Sequence, residues 1–310
     1  MNVIFAGTPQ FAVPTLEALA AAGFAIPLVI TQPDRPKGRG MELALSPVKQ
    51  AALSLNLPIL QPEKIKNNPE FREAIEKVTP DAIVVVGYGR IIPKWMLDLP
   101  KFGNINLHAS LLPKYRGAAP IQWAIANGES VTGNTTMLLN EGLDTGDILL
   151  QQEEPISRDD TSLTLAPRLA TTGAQLVIDT LRGLSNGTIR RQPQDESPAS
   201  LAPILKKEDG CIDFTRPAPE IYNRFRGFQP WPGAFTTFRG KHVAFTQMHV
   251  AADVGLEDGV AKIEKDELLV GCGGHTAIAV SELQPEGKKR MSARDFANGF
   301  RITSQERFGE

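Results

Sequence analysis

The sequence predicts an α/β protein in two parts: a doubly wound, mostly parallel sheet, then a smaller all-β barrel. Three observations lead there. Apolar, β-branched runs alternate with helical patterns as far as Leu181. From about 183 to 207 the composition turns to Gly, Pro, Ser, Gln and acidic residues. Beyond that stretch, short strand-like runs follow one another, punctuated by glycines.

Residues 3–6 read as a buried strand and Gly7-Thr8-Pro9 as the turn after it. Phe11 to Ala22 has helical spacing, with Pro14 early, where a helix tolerates it, and Gly23 closing it. Ile26 to Ile30 is a second strand, so the three make a βαβ unit. Residues 31–47 form a loop rich in Pro, Gly and charge, too long and polar for a simple connector; such loops often carry function. A helix over 47–56, a short strand over 58–61 and a helix from Phe71 to Val78 follow. Asp81 to Gly87 is a β-branched run suited to a central parallel strand. Gly103 to His108 is another strand, Thr135 to Asn140 a further one, and Ala119–Ala126 and Leu163–Leu181 read as helices. The sum is Rossmann-like. Later, Val243–Phe245, Ala261–Ile263, Glu267–Val270 and Thr276–Leu283 alternate with turn signals at Gly271, Gly273 and Gly274. That pattern suits a barrel of oligonucleotide-fold type, and a sandwich reads similarly. The expected division is 1–187, a linker over 188–205, and 206–310.

A chain of 310 residues suits two cores of about 150 each. Its 42% hydrophobic and 22% charged content is that of a globular protein, not of a disordered chain or coiled coil. Cys211 and Cys272 stand far apart, with no Cys or His at ligand spacing, so no metal is expected and buried apolar cysteine is. Nor is this a disulfide scaffold. Met1 leads straight into a strand, with no basic start and apolar stretch, and no segment approaches the roughly 18 apolar residues of a membrane span. A cytoplasmic, membrane-free monomer is the expectation. Net charge is −2, so a polyanion must bind local patches. The candidates are Arg35, Lys37 and Arg39, then Arg224 and Arg226, then Lys288, Lys289 and Arg290; each alone reads first as solvated surface.

Chemistry concentrates on three residues. Asn106 and His108, two apart on a strand, share one face at its carboxyl end, where open α/β sheets place ligands. A carboxamide can donate to a developing oxyanion, and an imidazole can donate to it or move a proton. Read alone, they are a turn Asn and a satisfied core His; the following Ser110-Leu111-Leu112-Pro113 adds an apolar edge for a flat aromatic ligand. Asp144 lies in Glu141-Gly142-Leu143-Asp144-Thr145-Gly146-Asp147, where glycines permit close backbone approach. A carboxylate beside His108 would orient its ring; spacing leaves Asp144 and Asp147 as rivals. Gly7-Thr8-Pro9 is neither G-x-G-x-x-G nor a P-loop, which disfavours a dinucleotide.

These motifs together resemble the methionyl-tRNA formyltransferase family over nearly the whole length. The resemblance runs through Phe5-Ala6-Gly7-Thr8-Pro9, Thr31-Gln32-Pro33-Asp34-Arg35-Pro36 with Gly38-Arg39-Gly40, and Val84-Val85-Val86-Gly87-Tyr88-Gly89. It continues in Asn106-Leu107-His108-Ala109-Ser110-Leu111-Leu112-Pro113, Arg116-Gly117-Ala118-Ala119-Pro120-Ile121-Gln122, Pro230-Trp231-Pro232-Gly233, and Leu283-Gln284-Pro285 to Met291-Ser292-Ala293. It implies a catalytic domain followed by a tRNA-binding barrel, with Asn106, His108 and Asp144 moving a formyl group from 10-formyltetrahydrofolate to the amine of initiator methionyl-tRNA, without metal. It implies folate along Ser110, Leu111, Leu112 and Pro113, with the pterin near Arg90, Ile91, Ile92 and residues 140–144. It assigns tRNA contacts to Arg35, Lys37, Arg39, Lys206, Lys207, Arg224, Arg226, Lys288, Lys289 and Arg290.

Two departures stand out. Met41-Glu42-Leu43-Ala44-Leu45 stands where family members carry more basic residues, which predicts a looser grip on RNA, and Gly227 stands where Ala is common. The trio and the Ser110–Pro113 segment are shared by all folate-dependent formyltransferases. An amino-sugar formyltransferase or a formyltetrahydrofolate hydrolase domain is therefore the alternative, and the basic loop and C-terminal motifs favour the tRNA enzyme. A non-catalytic tRNA binder would not need the intact trio.

Overall fold

The computed structural model describes residues 1–37, 42–252, 255–303 and 306–310, with the side chains of 37, 42 and 43 also left undescribed. In chain order its first half contains β1 (Asn2–Gly7), α1 (Val13–Ala21), β2 (Ala25–Ile30), β3 (Arg35–Lys37), β4 (Glu42–Ala44), α2 (Pro47–Ser54), β5 (Ile59–Leu60) and α3 (Pro69–Val78). It goes on with β6 (Ala82–Val86), α4 (Lys94–Leu97), β7 (Asn104–His108), α5 (Pro120–Ala126), β8 (Val131–Leu138), β9 (Ile148–Pro155) and α6 (Ser162–Ser185). The sheet order is β5-β2-β1-β6-β7-β8-β9. Pairing is parallel through β7 and antiparallel for β8 and β9.

The central strands are apolar because helices cover both faces. Every residue of β6 is buried, as are Val3 to Ala6 of β1. Each such Val or Ile contributes about 1.5–3 kcal/mol by leaving water. The helices start where local chemistry says they should. Ser46 and Asn68 accept the backbone N–H of Lys49 and Phe71, with Pro47 and Pro69 at the first helical positions. The register pairs Gly7 with Val86 and Val85 with Asn106, so β1, β6 and β7 end together at one edge of the sheet.

This half differs from the expectation in several places. The loop at 31–47 contains the small antiparallel pair β3–β4. The edge strand β9 was not expected: Gln151, Gln152 and Glu153 face water, so it lacks the apolar alternation of a half-buried strand.

The chain divides into two compact units, Met1–Pro120 with Val131–Pro155 and Ala166–Pro203, and Ile121–Ser130 with Ile156–Leu165 and Ile204–Glu310. Residues 188–203, read from composition as linker, are therefore part of the first unit. Gln192 exchanges backbone hydrogen bonds with Ile148 at 2.8 and 2.9 Å, and the Ala202 N–H donates to the Arg116 carbonyl at 2.7 Å.

The second unit contains α7 (Ala218–Gly227), β10 (Ala234–Phe238), β11 (Lys241–Ala251), β12 (Ala261–Glu264), β13 (Glu267–Cys272), β14 (Thr276–Pro285), β15 (Met291–Ser292) and α8 (Ala293–Phe300). Its antiparallel sheet runs β10-β11-β14-β13-β12, with β15 on β14. Residues 306–309 join the two edges. The Ala261 N–H donates to the Glu306 carbonyl, and the Gly309 N–H to that of Thr237, both at 2.9 Å. This segment thus covers part of both sheet edges. The helices α7 and α8 escaped the all-β reading because their apolar faces are short and mixed with charge.

Phe308, 3% exposed, anchors the 306–309 segment, with its ring 4.9 Å from that of Phe238 and 5.5 Å from that of Phe245. Phe308→Ala should lower stability by about 3–5 kcal/mol. Urea unfolding checks this, and a loss below about 1 kcal/mol would make the segment peripheral.

Candidate active site

Asn106 and His108 project from the same side of β7 at its carboxyl end, 9% and 6% exposed. Among the described residues the Asn106 carboxamide has no hydrogen-bond partner. A nearly buried amide left uncommitted is a donor held in reserve. His108 is fixed on one side: its Nε2 lies 2.8 Å from the Tyr115 carbonyl, which can only accept, so Nε2 carries a proton. Its Nδ1 lies 3.7 Å from Asp144 Oδ2, opposed but beyond hydrogen-bond reach.

Asp144 sits at φ +51°, a conformation that Asp tolerates better than most residues. Its Oδ2 accepts the Gly117 N–H at 2.9 Å. The rest of the turn is held residue by residue. Asn140 Oδ1 accepts from the Gly142 N–H and the Thr145 hydroxyl, both at 3.0 Å. Gln194 Nε2 donates to the carbonyls of Asp144 and Gly146, both at 2.8 Å. A Cβ on Gly146 would stand 1.7 Å from the Leu138 carbonyl oxygen, so only glycine fits there. Of the two acids the sequence left open, Asp144 faces His108; Asp147 enters the sheet through its backbone carbonyl, which accepts from the Leu138 N–H at 2.9 Å.

The 110–113 segment is stapled by Thr135. The Thr135 hydroxyl donates to the Ser110 carbonyl at 2.6 Å and accepts from the Leu112 N–H at 3.1 Å and Gln151 Nε2 at 2.9 Å. The side chains of Ser110 and Leu112 are buried, the first bound to the Lys114 carbonyl and the second packed on Met137 and Ile148. These two side chains turn inward, so of the expected apolar wall Leu111 and Pro113 are the partly exposed members. Near the end of β6, Ile91 is 92% exposed and Leu143, beside Asp144, is 61% exposed. Ile92 belongs to the core instead, and Arg90 donates to the Glu63 carbonyl at 2.7 Å.

The basic residues separate into kinds. Arg35 is exposed, 3.7 Å from Glu63. Arg39 lies outside the described residues, as does the side chain of Lys37. Lys206, Lys207, Lys288, Lys289 and Arg290 are exposed, with Arg290 3.5 Å from Glu282. Arg224 is half-buried, over the ring of Phe228 at 4.9 Å, and burial holds its pKa below the usual value. Arg226 departs from expectation. It is 5% exposed and donates to the carbonyls of Ser157 and Asp160 and to Asn223 Oδ1, so it holds backbone rather than facing a polyanion. Cys211, expected buried, is exposed; Cys272 is buried, and burial pushes its thiol up to about 12.

Sequence reasoning missed the residues that hold the trio in place: Tyr115 through its carbonyl, Gly117 through its N–H, Thr135, Gln194 and Ser200. Arg116 and Gly117 were visible only as part of a motif. Gln194 and Ser200 lay in a stretch whose composition reads as linker, and no local pattern marks a side chain that caps a distant carbonyl. Among the described residues, no group of three or more His, Cys, Asp or Glu is placed to hold a metal ion, and no helix is long and apolar enough to cross a membrane.

These strand-end groups belong to a chain of the formyl transferase class, a group-transfer enzyme. Residues 1–181 match the formyl transferase family model, and 204–301 match that of the formyl transferase C-terminal domain. The chain belongs to the methionyl-tRNA formyltransferase family. It is 63% identical over 309 residues to the methionyl-tRNA formyltransferase of Koribacter versatilis, covering 100% of this chain and 99% of that one. It is 57% identical to that of Acidobacterium capsulatum, covering 100% of both. Among solved structures, WlaRD, a sugar 3N-formyl transferase determined with dTDP and 5-N-formyl-THF, shares the fold. Its TM-score is 0.68 at 19% identity, over 93% of this chain and 99% of that one.

Thr135→Val should cost about 1–3 kcal/mol, since it leaves the buried Leu112 N–H without an acceptor. Chemical denaturation of the purified variant checks this; unchanged stability would mean that the hydroxyl does not hold the segment.

Proposed function

We propose that this enzyme transfers the formyl group of 10-formyltetrahydrofolate to the α-amine of methionine on initiator tRNA, with Asn106, His108 and Asp144 as the catalytic residues. The observation that carries this reading is the opposed pair His108 and Asp144 beside an uncommitted Asn106 carboxamide.

Each group has a distinct task. With Nε2 committed to Tyr115, Nδ1 is the His108 nitrogen left to serve the reaction. Asn106 Nδ2 and a protonated His108 Nδ1 donate to the formyl oxygen as the amine attacks and negative charge builds there. Asp144, facing Nδ1, stabilises that proton and takes the one the amine must shed, directly or through a water. Collapse breaks the bond between the formyl carbon and N10, and N10 leaves with the proton that Asp144 took from the amine, passed on directly or through a water. The carboxylate is suited to the task because its other contact, the Gly117 N–H, is neutral and leaves its charge intact.

The exposed Ile91 and Leu143 support a pterin site beside the trio, since large apolar side chains facing water at a sheet's carboxyl edge fit a flat ligand. Leu111 and Pro113 extend that surface. Arg35, Lys37 and Arg39 on the loop, with Lys206, Lys207, Lys288, Lys289 and Arg290 on the second unit, would meet tRNA phosphates and Arg224 would assist. Arg226, bound to the carbonyls of Ser157 and Asp160, takes no part. The work is cytoplasmic and the enzyme monomeric in this reading.

His108→Ala should abolish transfer and leave tRNA affinity within about threefold. Asn106→Ala should lower kcat by about 100- to 1,000-fold, the usual cost of one oxyanion donor. Single-turnover formylation of charged initiator tRNA reads both, and normal rates in either variant would remove that residue from the mechanism. Arg35→Ala should weaken tRNA binding and reduce its salt dependence by about one phosphate contact. A change confined to folate binding would overturn the loop assignment.

A further inference from the structure

Residues 190–203 do more than join two parts of the chain. Gln194 uses its whole amide. Its Nε2 donates to the carbonyls of Asp144 and Gly146, both at 2.8 Å, while its Oε1 accepts from Arg116 Nε at 3.1 Å and Nη2 at 2.7 Å. The same guanidinium is gripped by Glu196 through two bonds of 2.8 Å, from Nη1 to Oε2 and from Nη2 to Oε1. Arg116 is 6% exposed, so an unpaired guanidinium there would be costly. Hydrogen bonding to Glu196 raises its pKa further, and the Arg116 contact holds the Glu196 carboxyl below its ordinary value.

The backbone of Arg116 is fixed by the same segment. Its N–H donates to the Ser200 carbonyl at 2.8 Å and its carbonyl accepts from the Ala202 N–H at 2.7 Å. The next residue is Gly117, at φ +119°, whose N–H binds the Asp144 carboxylate at 2.9 Å. The Tyr115 N–H, whose residue supplies the carbonyl that holds His108, donates to Ser200 Oγ at 2.9 Å. One strap therefore grips Asp144 from two sides, at its backbone through Gln194 and at its carboxylate through Gly117, and steadies the His108 anchor as well.

We propose that Gln194, with Arg116 and Glu196, is a positioning residue of formyl transfer: the strap sets the Asp144 carboxylate against His108 without touching substrate. The inference rests on Asp144 acting in catalysis. Its physical basis is that a left-handed turn at a non-glycine residue has competing conformations, and two donated hydrogen bonds select one. A misplacement of about 1 Å at a reacting group costs on the order of 100-fold.

The test is steady-state and single-turnover formylation with a folate formyl donor and charged initiator tRNA. Gln194→Ala and Gln194→Glu should each lower kcat by about 10- to 100-fold, with KM for both substrates within about threefold. Glu should rescue nothing, because it keeps an acceptor for Arg116 and sets oxygen against the two turn carbonyls. Combined with Asp144→Asn, Gln194→Ala should add no further loss, since both act through one carboxylate. Retention of kcat within about twofold, or a loss that multiplies with that of Asp144→Asn, overturns the proposal. Full turnover in Asp144→Asn alone would instead sink the reading of the active site. Should both Gln194 variants fail to fold, Glu196→Gln, altering a side chain 69% exposed, should lower kcat a few-fold at unchanged KM, and an unchanged kcat there overturns the proposal too.

Discussion

The arrangement at the carboxyl end of the first sheet depends on holding a carboxylate in a left-handed turn opposite an imidazole, a placement the chain would not adopt unaided. Asp144 at φ +51° is a local cost. It is offset by hydrogen bonds to its carbonyl, to its carboxylate and across its turn, and by a glycine at 146 that lets the turn close against Leu138. His108 meets the matching demand from the other side, where the Tyr115 carbonyl fixes one nitrogen and so leaves the other facing Asp144. Neither side chain is positioned by its own strand or loop alone. The supports come from residues 115–117, from 140–146 and from 194–202, three separate stretches that meet only in the folded first unit.

That distribution explains what the sequence disclosed. The parallel core was legible because strands buried on both faces read as unbroken apolar runs, as in Ala82–Val86, and because caps such as Ser46 before Pro47 mark helix starts. Asn106 and His108 stood out through their spacing at a strand end. Period-based reading failed where one face meets water or where the element is short: β9 with its Gln-Gln-Glu-Glu run, and α7 and α8 in the second unit. The strap was invisible for a different reason. Gln194 and Glu196 act through single long-range hydrogen bonds, and a Gly-, Pro- and Gln-rich stretch looks like linker whether or not it is bound. Arg226 misled in the opposite direction, since a charge on a helix reads as surface until its carbonyl partners are seen.

Electrostatics divide in the same way. Net charge is −2 and residues 206–310 carry 15 Lys+Arg against 15 Asp+Glu, so there is no broad positive field to gather RNA. Lys206, Lys207 and Lys288–Arg290 are exposed, whereas Arg226 spends its charge inside the unit. Arg116 is likewise spent internally, on Glu196 and Gln194.

The most direct test of the central claim is the protonation pattern of the His108 ring, read by long-range proton–nitrogen NMR correlations in a chain with four histidines. The expected result is a ring whose Nε2 carries a proton and whose Nδ1 resonance moves on Asp144→Asn. A neutral ring with the proton on Nδ1 and a bare Nε2, or an Nδ1 resonance indifferent to Asp144, would contradict the arrangement on which the mechanism rests.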